Sequence, residues 1–213
     1  MKAAIFDLDG TLLDSMSFWR NVIDIYLEQR GKKATQEIKD EIDNLTIKKS
    51  GKYLKDLFGF PESPEEIENQ ILGIIESSYK FNIPLKPYVH LFLTKLKSKG
   101  IKMCVASATP SYLIEYALDR HNILDLFEFI ITCDDVGESK KDSAKIYEEA
   151  LLKLQVKKED AIVFEDALYA IKTAKKAGFF VTGVKDPVYF KETDEIKAIC
   201  DKYINNFNEF KEI

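Results

Sequence analysis

Apolar positions change their period twice along this chain. Ala3-Ala4-Ile5-Phe6 is a short unbroken apolar run with the composition of a buried strand, and it gives way at once to Asp7-Leu8-Asp9-Gly10-Thr11. From about residue 15 to 81 the spacing is helical. Trp19, Val22, Ile23, Tyr26 and Leu27 share one helix face, with Ser15 or Ser17 to cap it and Gly31 to stop it. Thr35 can cap a second helix carrying Ile38, Ile42 and Leu45. A third begins at Ser50 or Gly51 and carries Tyr53, Leu54, Leu57 and Phe58 before Gly59. Ser63-Pro64-Glu65-Glu66 sets a cap, a proline at the first helical position and a glutamate at the third, so a fourth helix carries Ile67, Ile71, Ile74 and Ile75.

From Pro87 onward helix and strand alternate. The pattern predicts helices over 89–99, 110–121, 144–154 and 168–177, and strands over 101–106, 129–133, 161–164 and 179–184, with a last short strand at Tyr203-Ile204. Strands separated by helices pair in parallel through right-handed crossovers, so the fold class expected is α/β, a doubly wound parallel sheet with an inserted small α-helical domain. The expected division is a core of residues 1–14 and 83–213 and a helical insertion of residues 15–82. The linkers at 12–15 and 82–87 would form a hinge between them.

Composition narrows the class. Thirty-one basic against 36 acidic residues, interspersed along the helices, disfavour nucleic acid as a partner. Cys104, Cys133 and Cys200 lie far apart with no paired spacing, which suits reduced packing residues better than a metal or disulfide framework. No run of about 18 apolar residues occurs, so a soluble cytoplasmic protein without membrane contact is expected, a monomer or else a dimer.

Candidate chemistry collects just past the strand ends, where open α/β sheets bind ligands. Those positions hold Asp7, Asp9 and Thr11, then Ser107 and Thr109, then Lys140 or Lys141, then Glu165 and Asp166. Alone, Asp7-Leu8-Asp9-Gly10-Thr11 is also what a strand ending in a solvated acidic turn looks like. Four carboxylates against one lysine leave an excess of negative charge that a divalent cation would offset. Oxygen ligands without His or Cys favour Mg²⁺, which binds one or two carboxylates together with a substrate phosphate. Hydroxyls of Thr11 and Ser107, the lysine and turn amides could then hold the phosphate's other oxygens.

DLDGT after the first strand, Ser107 after the second, a lysine after the third and Phe164-Glu165-Asp166 after the fourth resemble the haloacid dehalogenase superfamily of hydrolases. FEDALYAIKTAKKAG (164–178) and KPYVHLFLTKLKSKGIKMCVASAT (86–109) extend the likeness. A helical insertion directly after the first motif resembles the cap of the family's phosphoglucomutase-like and phosphoglycolate-phosphatase-like branch. The resemblance implies hydrolysis of a small phosphorylated metabolite. Asp7 would be the nucleophile, forming an aspartyl-phosphate, and Asp9 the general acid and base. Mg²⁺ would be held by Asp7, the Asp9 backbone carbonyl and Asp166, with Glu165 beside it or linked through water. Thr11, Ser107 and Lys141 would bind phosphate. Counting back from Ile146-Tyr147 selects Lys141, with Lys140 as the alternative, because the usual proline after the motif lysine is absent here.

Other residues invite attention with less to support them. His90 and His121 are isolated and suit a helix surface or helix end. Trp19, on the first inserted helix, could face substrate, although its spacing suits packing. That branch's mutases place a histidine near this position, so Trp19 favours hydrolysis over phosphate transfer. A mutase, or a phosphate-sensing protein without turnover, are the alternatives. Lys48 and Lys49 sit where relatives place substrate-recognising groups, though a solvated basic face also explains them.

Overall fold

The computed structural model describes residues 1–42, 45 and 47–211, the side chains of 47 and 48 excepted. In chain order the elements are β1 (Ala3–Phe6), α1 (Met16–Glu28), α2 (Gln36–Ile42), α3 (Ile47–Phe58), α4 (Pro64–Phe81), α5 (Val89–Ser98), β2 (Lys102–Ser107), α6 (Ser111–Arg120) and β3 (Phe129–Thr132). They continue with α7 (Cys133–Val136), α8 (Lys145–Leu154), β4 (Ala161–Glu165), α9 (Leu168–Lys176), β5 (Phe180–Val184), α10 (Thr193–Ile199) and β6 (Lys202–Ile204). By contact the chain divides into two compact units, Met1–Met16 with Ile83–Ile213, and Ser17–Asn82. None of the helices described is long and apolar enough to cross a membrane.

The first unit is the doubly wound sheet its pattern predicts. Six strands lie in the order β3-β2-β1-β4-β5-β6, all parallel. Chain order reverses beside β1, so the connections from β1 and β4 leave to opposite sides and a crevice opens beyond their carboxyl ends. Alternation sorts the strand residues between two layers. Phe6 stacks on Phe164 across β1 and β4 at 4.7 Å, and Phe92, Phe207 and Phe210 extend that aromatic layer. Each such ring pair adds about 0.5–1.5 kcal/mol beyond its burial. Ile5, Cys104, Ala106 and Val163 go to the other layer, under α8 and α9, with Tyr147, Ala150, Ile171 and Ala174. Cys104 is a packing residue, as expected, and burial pushes its thiol up out of the reactive range.

The second unit is helical. Its longest helix, α4, starts on the capping box read from the sequence. Ser63 Oγ accepts from the Glu66 amide at 3.2 Å and the Glu66 carboxylate accepts from the Ser63 amide at 2.7 Å. Gly51 lets α3 approach α4, since a Cβ there would fall 2.4 Å from the Pro64 carbonyl oxygen.

Most boundaries fall within a residue of the pattern, and a few differ in ways that have a local cause. Helix α3 begins at Ile47, three residues before the Ser50 cap, and Leu45, expected on the second helix, lies in a bend. Strand β3 stops at Thr132, because Thr132 and Asp135 form a capping box that turns the chain into α7. Helix α10 buries Ile196 alone, too little for a periodic signal.

Candidate active site

Asp7 extends β1 by one residue, its amide donating to the Phe164 carbonyl at 3.0 Å. The chain then wraps on Leu8, whose carbonyl accepts from the amides of Thr11, Leu12 and Leu13. This turn needs Gly10, which sits at φ +80°. A Cβ at Gly10 would fall 1.9 Å from Asp166 Oδ2, so only a glycine lets the β1 loop meet the end of β4. Asp7, Glu165 and Asp166 thereby converge, with one carboxylate oxygen of each lying within 4.8 Å of the others.

The lysine of this cluster is Lys140. Its Nζ donates to Asp7 Oδ1 and to Glu165 Oε1, both at 2.5 Å, and more distantly to the Ala106 carbonyl at 3.4 Å. Lys141, selected by counting, is exposed; its amide donates to Ser139 Oγ and its carbonyl accepts from Thr173. The count fails because the Ser139 carbonyl accepts from the amides of both Asp142 and Ser143, a turn that absorbs one residue before α8.

Glu165 is saturated within the chain. Oε1 accepts from Lys140 and from the buried Tyr147 hydroxyl, and Oε2 accepts from the amides of Asp166 and Ala167. It therefore orients Lys140 and the β4 loop instead of offering a free ligand atom. Asp166 contrasts with it. Oδ1 accepts from Thr11 Oγ1 at 3.3 Å, the hydroxyl expected at the phosphate, while Oδ2 is buried with no partner among the described residues.

Burial dominates the electrostatics. Desolvation first, and Glu165 second, push Asp7 up to about 7 against the pull of Lys140. Asp166 is raised well above the usual carboxylate range by burial, then by Glu165 and Asp7, with Lys86 opposing. The Lys86 ammonium is buried on the Asp186 carboxylate at 2.8 Å and on the Lys185 carbonyl at 2.6 Å. Asp7, Glu165, Asp166 and Asp186 thus face the two ammonium groups of Lys140 and Lys86. An orphaned carboxylate oxygen in a pocket short of positive charge suits a hard divalent cation with oxygen ligands.

Asp9 lies beside this pocket with both oxygens engaged. Oδ1 accepts from Ser15 Oγ at 2.6 Å and Oδ2 from Thr109 Oγ1 at 2.5 Å. Ser107 is buried, and its Oγ accepts from the Thr109 amide at 3.2 Å. In the helical unit, Trp19 Nε1 donates to the Tyr79 hydroxyl at 3.0 Å and its ring meets the Tyr79 ring edge-on. Lys49 is exposed, and the Lys48 side chain lies outside the described residues. Half-buried His121 contacts the Ile83 carbonyl through Nε2 at 3.0 Å, a helix-end role.

Sequence reasoning missed four participants. Asp186 follows β5 as Asp7 follows β1, so the strand-end rule extended by one strand finds it. Tyr147 served only as a counting landmark, and Ser15 only as a cap. Lys86, in a linker before a proline, carries no local signal.

Comparison with known proteins supplies the remaining context. A family model for haloacid dehalogenase-like hydrolases matches residues 4–184. The phosphorylated carbohydrates phosphatase of Thermotoga maritima is 29% identical over 84% of this chain and 82% of its own. The phosphoglycolate phosphatase of Aquifex aeolicus is 31% identical over 66% of this chain and 64% of its own. Among solved structures, a Thermotoga maritima protein named after beta-phosphoglucomutase superposes with a TM-score of 0.82 at 25% identity, covering 96% of this chain and 94% of that one.

Proposed function

Because the chain belongs to the haloacid dehalogenase-like hydrolases, we propose that it is a Mg²⁺-dependent phosphatase that cleaves a small phosphorylated metabolite through an aspartyl-phosphate on Asp7. The observation that carries this reading is the buried Asp7–Lys140–Glu165 array beside the orphaned Asp166 oxygen.

Asp7 meets Lys140 through Oδ1, and Oδ2 receives no hydrogen bond among the described residues. Oδ2 is the nucleophile. It attacks phosphorus, the ester P–O bond breaks with its electron pair passing to the leaving alkoxide, and Asp9 delivers a proton to that oxygen. Asp9 then takes a proton from water as the water oxygen attacks phosphorus, and the Asp7 carboxylate is released with inorganic phosphate. Asp7, Asp166 and the Asp9 backbone carbonyl would hold Mg²⁺, which when bound offsets the negative charge of nucleophile and phosphate. Ser107 donates its hydroxyl to a phosphate oxygen. Lys140 neutralises Asp7, and its longest bond, to the Ala106 carbonyl, is the one most easily exchanged for phosphate. Thr11 steadies Asp166.

Choice of substrate is assigned to the helical unit as a cap, with Lys49 a candidate contact and Trp19 chiefly a packing residue. The relatives' names suggest the probes. A panel of phosphorylated carbohydrates, phosphoglycolate and an aryl phosphate should yield inorganic phosphate with Mg²⁺ and none after chelation by EDTA. No release from any of them would overturn the reading.

A further inference from the structure

We propose that Thr109 is a positioning residue that joins the two halves of the reaction, holding the Asp9 carboxylate with its hydroxyl and directing the Ser107 hydroxyl with its amide. The inference rests on the phosphatase reading above. Thr109 stands beside Ser107 among the strand-end residues, but none of the four motifs gives it a role, and it touches both groups. Its Oγ1 donates to Asp9 Oδ2 at 2.5 Å, and its amide donates to Ser107 Oγ at 3.2 Å.

Each bond has a directional consequence. A serine oxygen that accepts a backbone N–H keeps its own single proton free to donate elsewhere, which is the polarity an anionic phosphate needs. A carboxylate held at Oδ2 by Thr109 and at Oδ1 by Ser15 cannot rotate without breaking a part-buried hydrogen bond.

Thr109 is also stiff enough to set a direction. Its β-branch restricts χ1, and Pro110 behind it confines its backbone to extended conformations. The residue is buried, so water does not readily replace its hydroxyl. A flexible serine could make the same bond but would fix the carboxylate less firmly.

A positioning role acting through Asp9 predicts dependence on the leaving group. An aryl oxide departs without prior protonation, whereas an alkoxide needs the proton that Asp9 delivers. Thr109→Val keeps the shape and the amide bond to Ser107 and removes only the hydroxyl. First-turnover release of the alcohol, followed by rapid quench with Mg²⁺ present, separates this step from hydrolysis of the aspartyl-phosphate. Thr109→Val should slow release from an alkyl phosphate by about 10–100-fold and from an aryl phosphate by less than about threefold. Thr109→Ser should recover most of the alkyl rate.

Equal losses on both esters, no loss on either, or failure of Thr109→Ser to recover the rate would overturn the inference while leaving the phosphatase reading intact. A wild-type chain that releases phosphate from neither ester would overturn both.

Discussion

Asp7→Asn should eliminate Mg²⁺-dependent phosphate release, a fall of at least about 1,000-fold, because an amide has no ionised oxygen with which to attack phosphorus. The fold should survive, since Lys140 keeps Glu165 as its partner. The sign of the stability change follows from the direction of the shift. In the folded chain without metal, Asp7 is raised from 3.8 to about 7, chiefly by burial. A carboxyl whose folded pKa lies above its unfolded value binds a proton more tightly when folded. Its contribution to stability is therefore lost as pH rises from about 4 toward 7. Asn carries no such charge, so the metal-free variant should melt no lower than wild type at pH 8. Activity that persisted in Asp7→Asn would remove the nucleophile from the account.

The second large effect separates two adjacent lysines. Lys140→Met leaves Asp7 and Glu165 buried without their shared cation, and breaking such a pair by removing one partner costs about 3–5 kcal/mol. Urea unfolding of the metal-free chain should show that loss, and turnover with Mg²⁺ should fall by about 100-fold or more as the nucleophile loses its neutralising contact. Lys141→Ala removes an exposed side chain and should stay within about 0.5 kcal/mol of wild type. The reverse ranking, with Lys141→Ala inactive and Lys140→Met near wild type, would contradict the placement of the loop before α8.

What could be read from the sequence divides along physical lines. Period and punctuation carried the sheet and its helices, because a strand buried on both faces is a continuous apolar run and a capped helix announces its start, as at Ser63-Pro64. The strand-end rule then found Asp7, Asp9, Ser107, Glu165 and Asp166, since a parallel sheet delivers those positions to one edge. Counting failed at Lys140, because a turn that absorbs a residue leaves no mark in hydrophobic period. Contacts between distant segments were equally hidden. The Lys86–Asp186 pair joins positions 100 apart in sequence, and the Thr109–Asp9 bond spans the same separation. Gly10 was legible as a turn, but the reason no other residue suits it, the approach of Asp166, appears only once β1 and β4 are neighbours.

The central claim is that Asp7 carries the phosphoryl group during turnover. The direct measurement is to quench the enzyme in acid during steady hydrolysis of an aryl phosphate with Mg²⁺, reduce with borohydride and map the peptides by mass spectrometry. An acyl phosphate is reduced to the alcohol, so the account predicts homoserine at position 7 and nowhere else. Turnover with an unmodified Asp7, or with the label on another residue, would contradict it.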